Sequence, residues 1–263
     1  MDNKGLANLY NEIYRKGESS HYTKLLFAKG DYAHDRLEVL RTLSWKGKTV
    51  LDAGCGTGEL AYLIAARGAK HVRGIDYSHE AIACARGAYT KNNLSFEQGE
   101  IMNTRGRFDA VVCLGTLEHM DDPLGTLRCF KKILAPGGSM IVSCPNWVNP
   151  RGYILLALRY LFGAPITLAD LHYLTPVEFE AWAKKLKMKL IWRTVDHDWA
   201  HGEKMIRDFA RRLPKVIRDG KLRVDKKRIK GFLSWLSNHA VALERDTHFG
   251  GAIGIYHFRK NAA

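Results

Sequence analysis

VLDAGCGTGEL (residues 50–60) decides the fold. An apolar, β-branched run of strand length enters a loop with glycine at 54, 56 and 58, then leaves it on a segment with helical apolar spacing. Glycine adopts backbone angles closed to other residues, and without a Cβ it lets a ligand lie against the main chain. A strand, a glycine loop and a helix N-terminus in that order make the receiving edge of an open parallel α/β sheet, where a nucleoside-containing ligand binds.

Working outward, short β-branched runs alternate with helix-length amphipathic segments. Strands are expected at 49–53, 71–75, 94–98, 108–113 and 138–143, and helices at 58–67, 78–91 and 123–134. Ala135-Pro136-Gly137-Gly138 reads as a turn that closes a helix and opens the fifth strand. TPVEFEAWAKKLK (175–187) reads as a helix with Thr175 as N-cap and Pro176 at its first position. The strand KLIWRTVD follows it, and AIGIYHF (252–258) makes a seventh strand. Residues 1–46 are expected to form an N-terminal helical lid on a main domain over 47–263. Two insertions in that domain, 147–172 and 198–250, are expected to form a cap.

Hydrophobic residues make up 46% of the chain and charged ones 26%, a balance that excludes a disordered chain. The longest apolar run, Tyr153 to Phe162, is broken by Arg159 and too short to cross a bilayer. The polar start shows no leader pattern, so a cytoplasmic protein is expected. Cys55, Cys84, Cys113, Cys129 and Cys144 are odd in number and form no CxxC pair, which points to buried thiols, not to a disulfide framework or a zinc site. The net charge is +14. Half of it lies in residues 201–248, where 13 Lys or Arg face six Asp or Glu, so an acidic partner is expected.

Two carboxylates refine the ligand. Asp76, in GIDYS (74–78), ends the second strand about 20 residues beyond the glycine loop, where an acid can accept hydrogen bonds from both ribose hydroxyls. Gly56, Gly58 and Ala61 also fit the looser dinucleotide fingerprint, so NAD stays open on the glycines alone. Asp52, two residues before the first glycine, would repel a pyrophosphate but suits an ammonium group.

With these residues in place the chain resembles the class I S-adenosylmethionine-dependent methyltransferases, above all the small-molecule branch with the ubiquinone-biosynthesis O-methyltransferases. The resemblance covers about residues 47–195. It is carried in order by VLDAGCGTGEL, GIDYS, FEQGEI, FDAVVCLGTLEHMDDP and LAPGGSMIVSCPN. It implies a Rossmann-like sheet of seven strands, the last antiparallel, and S-adenosylmethionine as cofactor. Asp52, Gly54, Cys55, Gly56 and Gly58 would then line the methionine side, with Asp76 on the ribose and Tyr77 near the adenine. Glu100 stands where the third motif more usually has Asp and would accept from the adenine amine, with Ile101 and Leu114 sandwiching the ring. Core packing accounts for Cys55, Ile101 and Leu114 equally well. The resemblance also implies an N-terminal aromatic lid, here Tyr14 and Tyr22, with Tyr10 read as helix packing.

Methyl transfer is an in-line displacement in which the protein aligns the reactants and, for a hydroxyl acceptor, removes a proton. His119, after the fourth strand, is the candidate general base, since imidazole ordinarily titrates near neutral pH. Glu118, Asp121 and Asp122 beside it read as a polar helix entry, and no metal is expected. His172, Tyr173 and Trp147 are candidate acceptor contacts. His197, Asp198 and His201 read as a solvated loop. The segment WVNPRGYILLALRYLFGAP is a candidate wall of an acceptor pocket, with dimerisation as the competing role.

LGTLEH after the fourth strand lacks the motif of enzymes that methylate base amines, and Cys144 reads as a buried strand end rather than a nucleophile. A small anionic or lipid-like acceptor, methylated on O or N, is therefore expected. Residues 221–236, KLRVDKKRIKGFLSWL, can form a basic amphipathic helix for phosphates or an anionic membrane, or merely a solvated face. An RNA-directed enzyme and a non-catalytic S-adenosylmethionine-binding module remain the alternatives.

Overall fold

The computed structural model describes residues 11–12, 34–167, 170–240 and 249–260. Tyr10, Tyr14 and Tyr22 lie outside them. Contacts divide the chain into two compact units. The first comprises Met1–Cys144, Phe179–Ile191 and Ile255–Ala263, and the second Pro145–Glu178 and Trp192–Gly254.

The order of elements is α1 (His34–Thr42), β1 (Thr49–Ala53), α2 (Glu59–Ala66), β2 (His71–Asp76), α3 (His79–Ala88), β3 (Leu94–Gln98), β4 (Phe108–Leu114), α4 (Pro123–Ile133) and β5 (Leu134–Pro145). Then follow α5 (Pro150–Phe162), α6 (Pro176–Leu186), β6 (Lys189–Val195), α7 (His197–His201), α8 (Glu203–Asp219), α9 (Lys226–Trp235) and β7 (Ile253–Arg259). The seven strands form one sheet in the order β3-β2-β1-β4-β5-β7-β6, mixed, with the last strand antiparallel. β1 pairs in parallel with both β2 and β4, so strand order reverses direction beside β1. At such a switch point the loops leaving neighbouring strands part and open a crevice at the carboxyl edge.

Local chemistry explains the element ends. Ser78 caps α3 by accepting from the Ala81 N–H at 3.1 Å. Asp122 caps α4 through the Gly125 N–H at 2.8 Å, with Pro123 in the first turn. Both supply an acceptor to amides that the helix leaves unpaired. The Thr175 N–H donates to Glu178 at 2.8 Å and the Val177 N–H to the Thr175 hydroxyl, the reciprocal box expected at the start of α6.

Three expectations are corrected. Ala135–Gly138 is not a separate turn before the fifth strand. β5 already pairs at Leu134 with Phe108, and the register resumes at Ser139 with Ala110. The extra residues bulge out within the strand, and the left-handed φ of 70° at Gly137 permits it. His197, Asp198 and His201 lie in the short helix α7, not in a loop, because Asp196 turns the chain at φ 60° and the Asp198 carboxylate accepts from Lys204 N at 3.2 Å. Finally, only Cys113 and Cys144 are buried. Cys84 is exposed because the inward face of α3 is taken by Ala81, Ile82 and Ala85.

The second unit has its own core of Trp147, Leu155, Ile166, Met205, Phe209 and Leu213, among others. Buried positions 205, 209, 213 and 216 set one face of α8 against it. Arg151 and Arg212 converge on Asp208 at 2.9 and 3.1 Å, which ties α5 to α8.

Candidate functional site

Three glycines with positive φ, 75° at Gly54, 51° at Gly56 and 84° at Gly58, carry the chain from β1 into α2. The Gly54 and Cys55 N–H groups both donate to the Ile75 carbonyl, at 2.8 and 3.0 Å. The loop is thus clamped to the end of β2. Space is tight around it: a Cβ on Gly54 would strike Thr116, and one on Gly74 would come within 2.9 Å of the Cys55 sulfur.

Asp76 sits at the same edge, 6% exposed. One carboxylate oxygen accepts from the Gly56 N–H and the other from the Ser78 N–H, each at 2.9 Å. Burial pushes this carboxyl up, while the N–H groups of Ser78, Gly56 and Tyr77 pull it back. A carboxylate offers about four lone-pair sites, so these three N–H groups leave room for one further hydroxyl donor. Ser78 also reaches the N-terminal segment, donating to the Asn11 side chain at 2.7 Å.

Asp52, 2% exposed, is the most unusual group here. Its Oδ2 has no hydrogen-bond partner among the described residues. Burial drives its pKa up to about 7, against the pull of Arg36 and with the push of Asp76. A buried acid with an idle oxygen is poised for a cation. The folded chain therefore holds this proton more tightly than the unfolded one, so the contribution of Asp52 to stability falls as pH rises from about 4 to about 7 and is level above that. Asp52→Asn abolishes the titration. In ligand-free thermal unfolding its Tm relative to the parent should climb between pH 4 and pH 7, and a flat difference would refute the assignment.

The remaining predicted residues of the first unit fall around this edge. The Tyr77 phenol is pushed up by burial and by the charges of Asp76 and Glu100. Glu100 is exposed and precedes the 3₁₀ turn Ile101–Asn103, with Ile101 buried at its start. Leu114 ends β4 half-buried, and its carbonyl accepts from the Thr116 hydroxyl at 3.1 Å. His119 closes the 3₁₀ turn Leu117–His119, its N–H donating to Thr116 O at 3.1 Å. Cys55 is half-buried, its thiol pushed far up by burial and by Asp52 and Asp76, which makes it a packing group and not a nucleophile.

Trp147, His172 and Tyr173 belong to the second unit. Trp147 is 3% exposed and meets Tyr173 edge to face at 5.0 Å. His172 and Tyr173 are half-buried. Sequence reasoning missed Arg36, on α1, which acts electrostatically on Asp52 and pairs with Glu59 at 3.0 Å. No local pattern marks it, because its partners lie at least 16 positions onward. It also missed Phe96, whose ring fills the space that Gly58 and Gly74 leave.

Residues 25–189 match the family described as a methyltransferase domain. The ubiquinone biosynthesis O-methyltransferase of Pseudomonas paraeruginosa is 32% identical over 148 residues, which span 52% of this chain and 63% of that protein. The chain thus covers less than two thirds of the length of such a curated relative. Among solved structures, a chain of the complex between the Haloferax volcanii Trm112 methyltransferase activator and a methyltransferase superposes with a TM-score of 0.62 at 18% identity, covering 96% of this chain and 97% of that one. The [4+2]-cyclase SpnF superposes with a TM-score of 0.61 at 19% identity, covering 98% and 96%. These two likenesses show a shared fold.

Proposed function

The chain belongs to the methyltransferase-domain family, whose cofactor is S-adenosylmethionine, and on that premise we propose that it methylates an oxygen or nitrogen of a small anionic or lipid-like acceptor. The observation that carries this reading is the pair of buried acids on adjacent strand ends, Asp52 with an idle oxygen and Asp76 tied to the glycine loop. An amino-acid ammonium and a ribose diol match that pair. A pyrophosphate would meet two buried acids whose ionised forms repel it.

In this reading Asp52 holds the ammonium, Arg36 supplies the cation for the neighbouring carboxylate, and the glycines at 54, 56 and 58 leave room for the methionine chain. Asp76 accepts from a ribose hydroxyl. Tyr77, Glu100, Ile101 and Leu114 surround the adenine. The cofactor supplies a sulfonium methyl. The acceptor lone pair forms the new bond to carbon as the carbon–sulfur bond breaks, and its electrons pass to sulfur. His119 takes the proton that a hydroxyl acceptor gives up.

Calorimetric titration with S-adenosylhomocysteine, NAD and NADP in parallel tests the cofactor pocket. S-adenosylhomocysteine should bind and the dinucleotides should not. Asp76→Ala should weaken that binding by about thirtyfold, the effect of losing a charged hydrogen-bond acceptor worth about 2 kcal/mol. Binding of NAD alone would overturn the reading.

A further inference from the structure

We propose that the second unit carries a docking face for anionic membrane surfaces, built from the last turn of α5 and one stripe of α9. This goes beyond methyl transfer and does not depend on it.

The last turn of α5 leaves Tyr160, Leu161 and Phe162 exposed, the first two by about three quarters (75% and 74%). Apolar side chains so placed on a folded unit mark a surface that is covered in use. α9 has no buried residue. Its Ile229 and Leu233 lean on the core of the unit. Arg228, Phe232 and Trp235, at spacings of four and three, form a neighbouring stripe that does not. The two elements share one surface. Phe162 of α5, Phe232 and Arg228 of α9, Ile217 of α8, and Ile154 and Leu158 line a common open cleft of about 370 Å³.

Positive charge surrounds this apolar strip. Arg223, Lys226, Lys227 and Lys230 are exposed on α9 and the turn before it. The nearby acids are engaged: Asp225 accepts from the Arg228 N–H at 2.7 Å to cap α9, and Asp219 pairs with Arg218 at 3.0 Å. Of the possible occupants, an RNA would meet the cations and could stack bases on the aromatic rings, but it would gain nothing from the aliphatic side chains of Leu161, Ile154, Leu158 and Ile217 on the same face. A second copy would bring two cationic helices together. An anionic bilayer surface satisfies both halves, with aromatic rings at the headgroup level and lysine and arginine reaching the lipid phosphates. Among the described residues no helix is long and apolar enough to cross a membrane, so the contact is one of surface docking.

The test is co-sedimentation of the full chain with vesicles of phosphatidylcholine, with and without phosphatidylglycerol, at low and high salt. Binding should require phosphatidylglycerol and weaken with salt. Lys227→Gln with Arg228→Gln should lower partitioning by about 25-fold, about fivefold for each cation removed. Phe232→Ser with Trp235→Ser should lower it by at least about tenfold. Trp235→Phe keeps an aromatic ring, so it should still bind yet lose the fluorescence blue shift that vesicles induce in the parent. An unchanged far-ultraviolet circular dichroism spectrum and thermal unfolding transition report that each variant is folded. Equal binding to both vesicle types overturns the proposal, and so does no binding to either. Binding of polyuridylate without vesicle binding reassigns the face to RNA. A dimer in sedimentation velocity that disperses in the Phe232/Trp235 variant, without vesicle binding, reassigns it to a second copy.

Discussion

His119→Ala should lower turnover of a hydroxyl acceptor by about a hundredfold to ten-thousandfold, the range in which a positioned general base contributes, with S-adenosylmethionine affinity nearly unchanged. The split follows from placement. His119 closes the turn after β4, one strand over from β1, whereas the groups assigned to the cofactor sit on the loops after β1, β2 and β3 and at the end of β4. Its backbone N–H is already spent on Thr116 O, so the substitution removes the imidazole without releasing the turn. Equal losses in turnover and in cofactor affinity would make His119 a binding residue. Unchanged turnover would place proton removal elsewhere. A parent protein that binds S-adenosylhomocysteine but turns over no acceptor would favour the non-catalytic module, a needed comparison because the fold is shared with a [4+2]-cyclase.

Gly58→Ala should destabilise the fold by about 3 kcal/mol, about 1–2 from the left-handed backbone and the rest from overpacking. The φ is 84°, and a Cβ there would stand 2.5 Å from Phe96 Cζ and 2.9 Å from Ala85 Cβ. For a chain of this size the Tm should drop by about 6–12 °C. Gly47→Ala separates the two causes. Its φ is 74°, yet nothing lies within 4 Å of the added carbon, so it should cost only about 1 kcal/mol. If both variants lose the same stability, the crowding by Phe96 is not what demands glycine at 58.

What could be read before any coordinates were those features whose cause is local. Strand, glycine loop and helix at 49–66, the Ser78 neighbourhood of Asp76 and the capped start of α6 each depend on residues within a few positions of one another. The link from Asp76 back to Gly56 spans 20 residues but was legible, because the spacing of loop and distal acid is itself a pattern. What escaped depends on partners far along the chain. The bulge in β5 arises from its pairing with β4, so Pro-Gly-Gly alone looked like a turn. Arg36 acquires its role from Asp52 and Glu59, and no periodicity could announce it. The burial of Asp52, which decides its protonation, comes from the closing of the sheet around it. In the second unit a helix was legible over 221–236 but its start was not: Asp225 caps it, so it begins at Lys226. Trp147 could be read as an acceptor contact, but its place in a separate core became visible only in three dimensions.

The strand order also bears on how the protein is made. β7 lies between β5 and β6, so β6 has no neighbour to join until Ile253–Arg259 has been synthesised. A nascent chain can gather β1 to β5 as they emerge from the ribosome. β6 must wait with an unpaired strand edge, the kind of surface that aggregates. The step that completes the sheet is therefore a late one, and it joins positions more than a hundred residues apart, such as His257 and Ser139. Slow closure of that kind exposes the newborn protein to chaperones and proteases for longer than the ordered core of the first five strands would suggest.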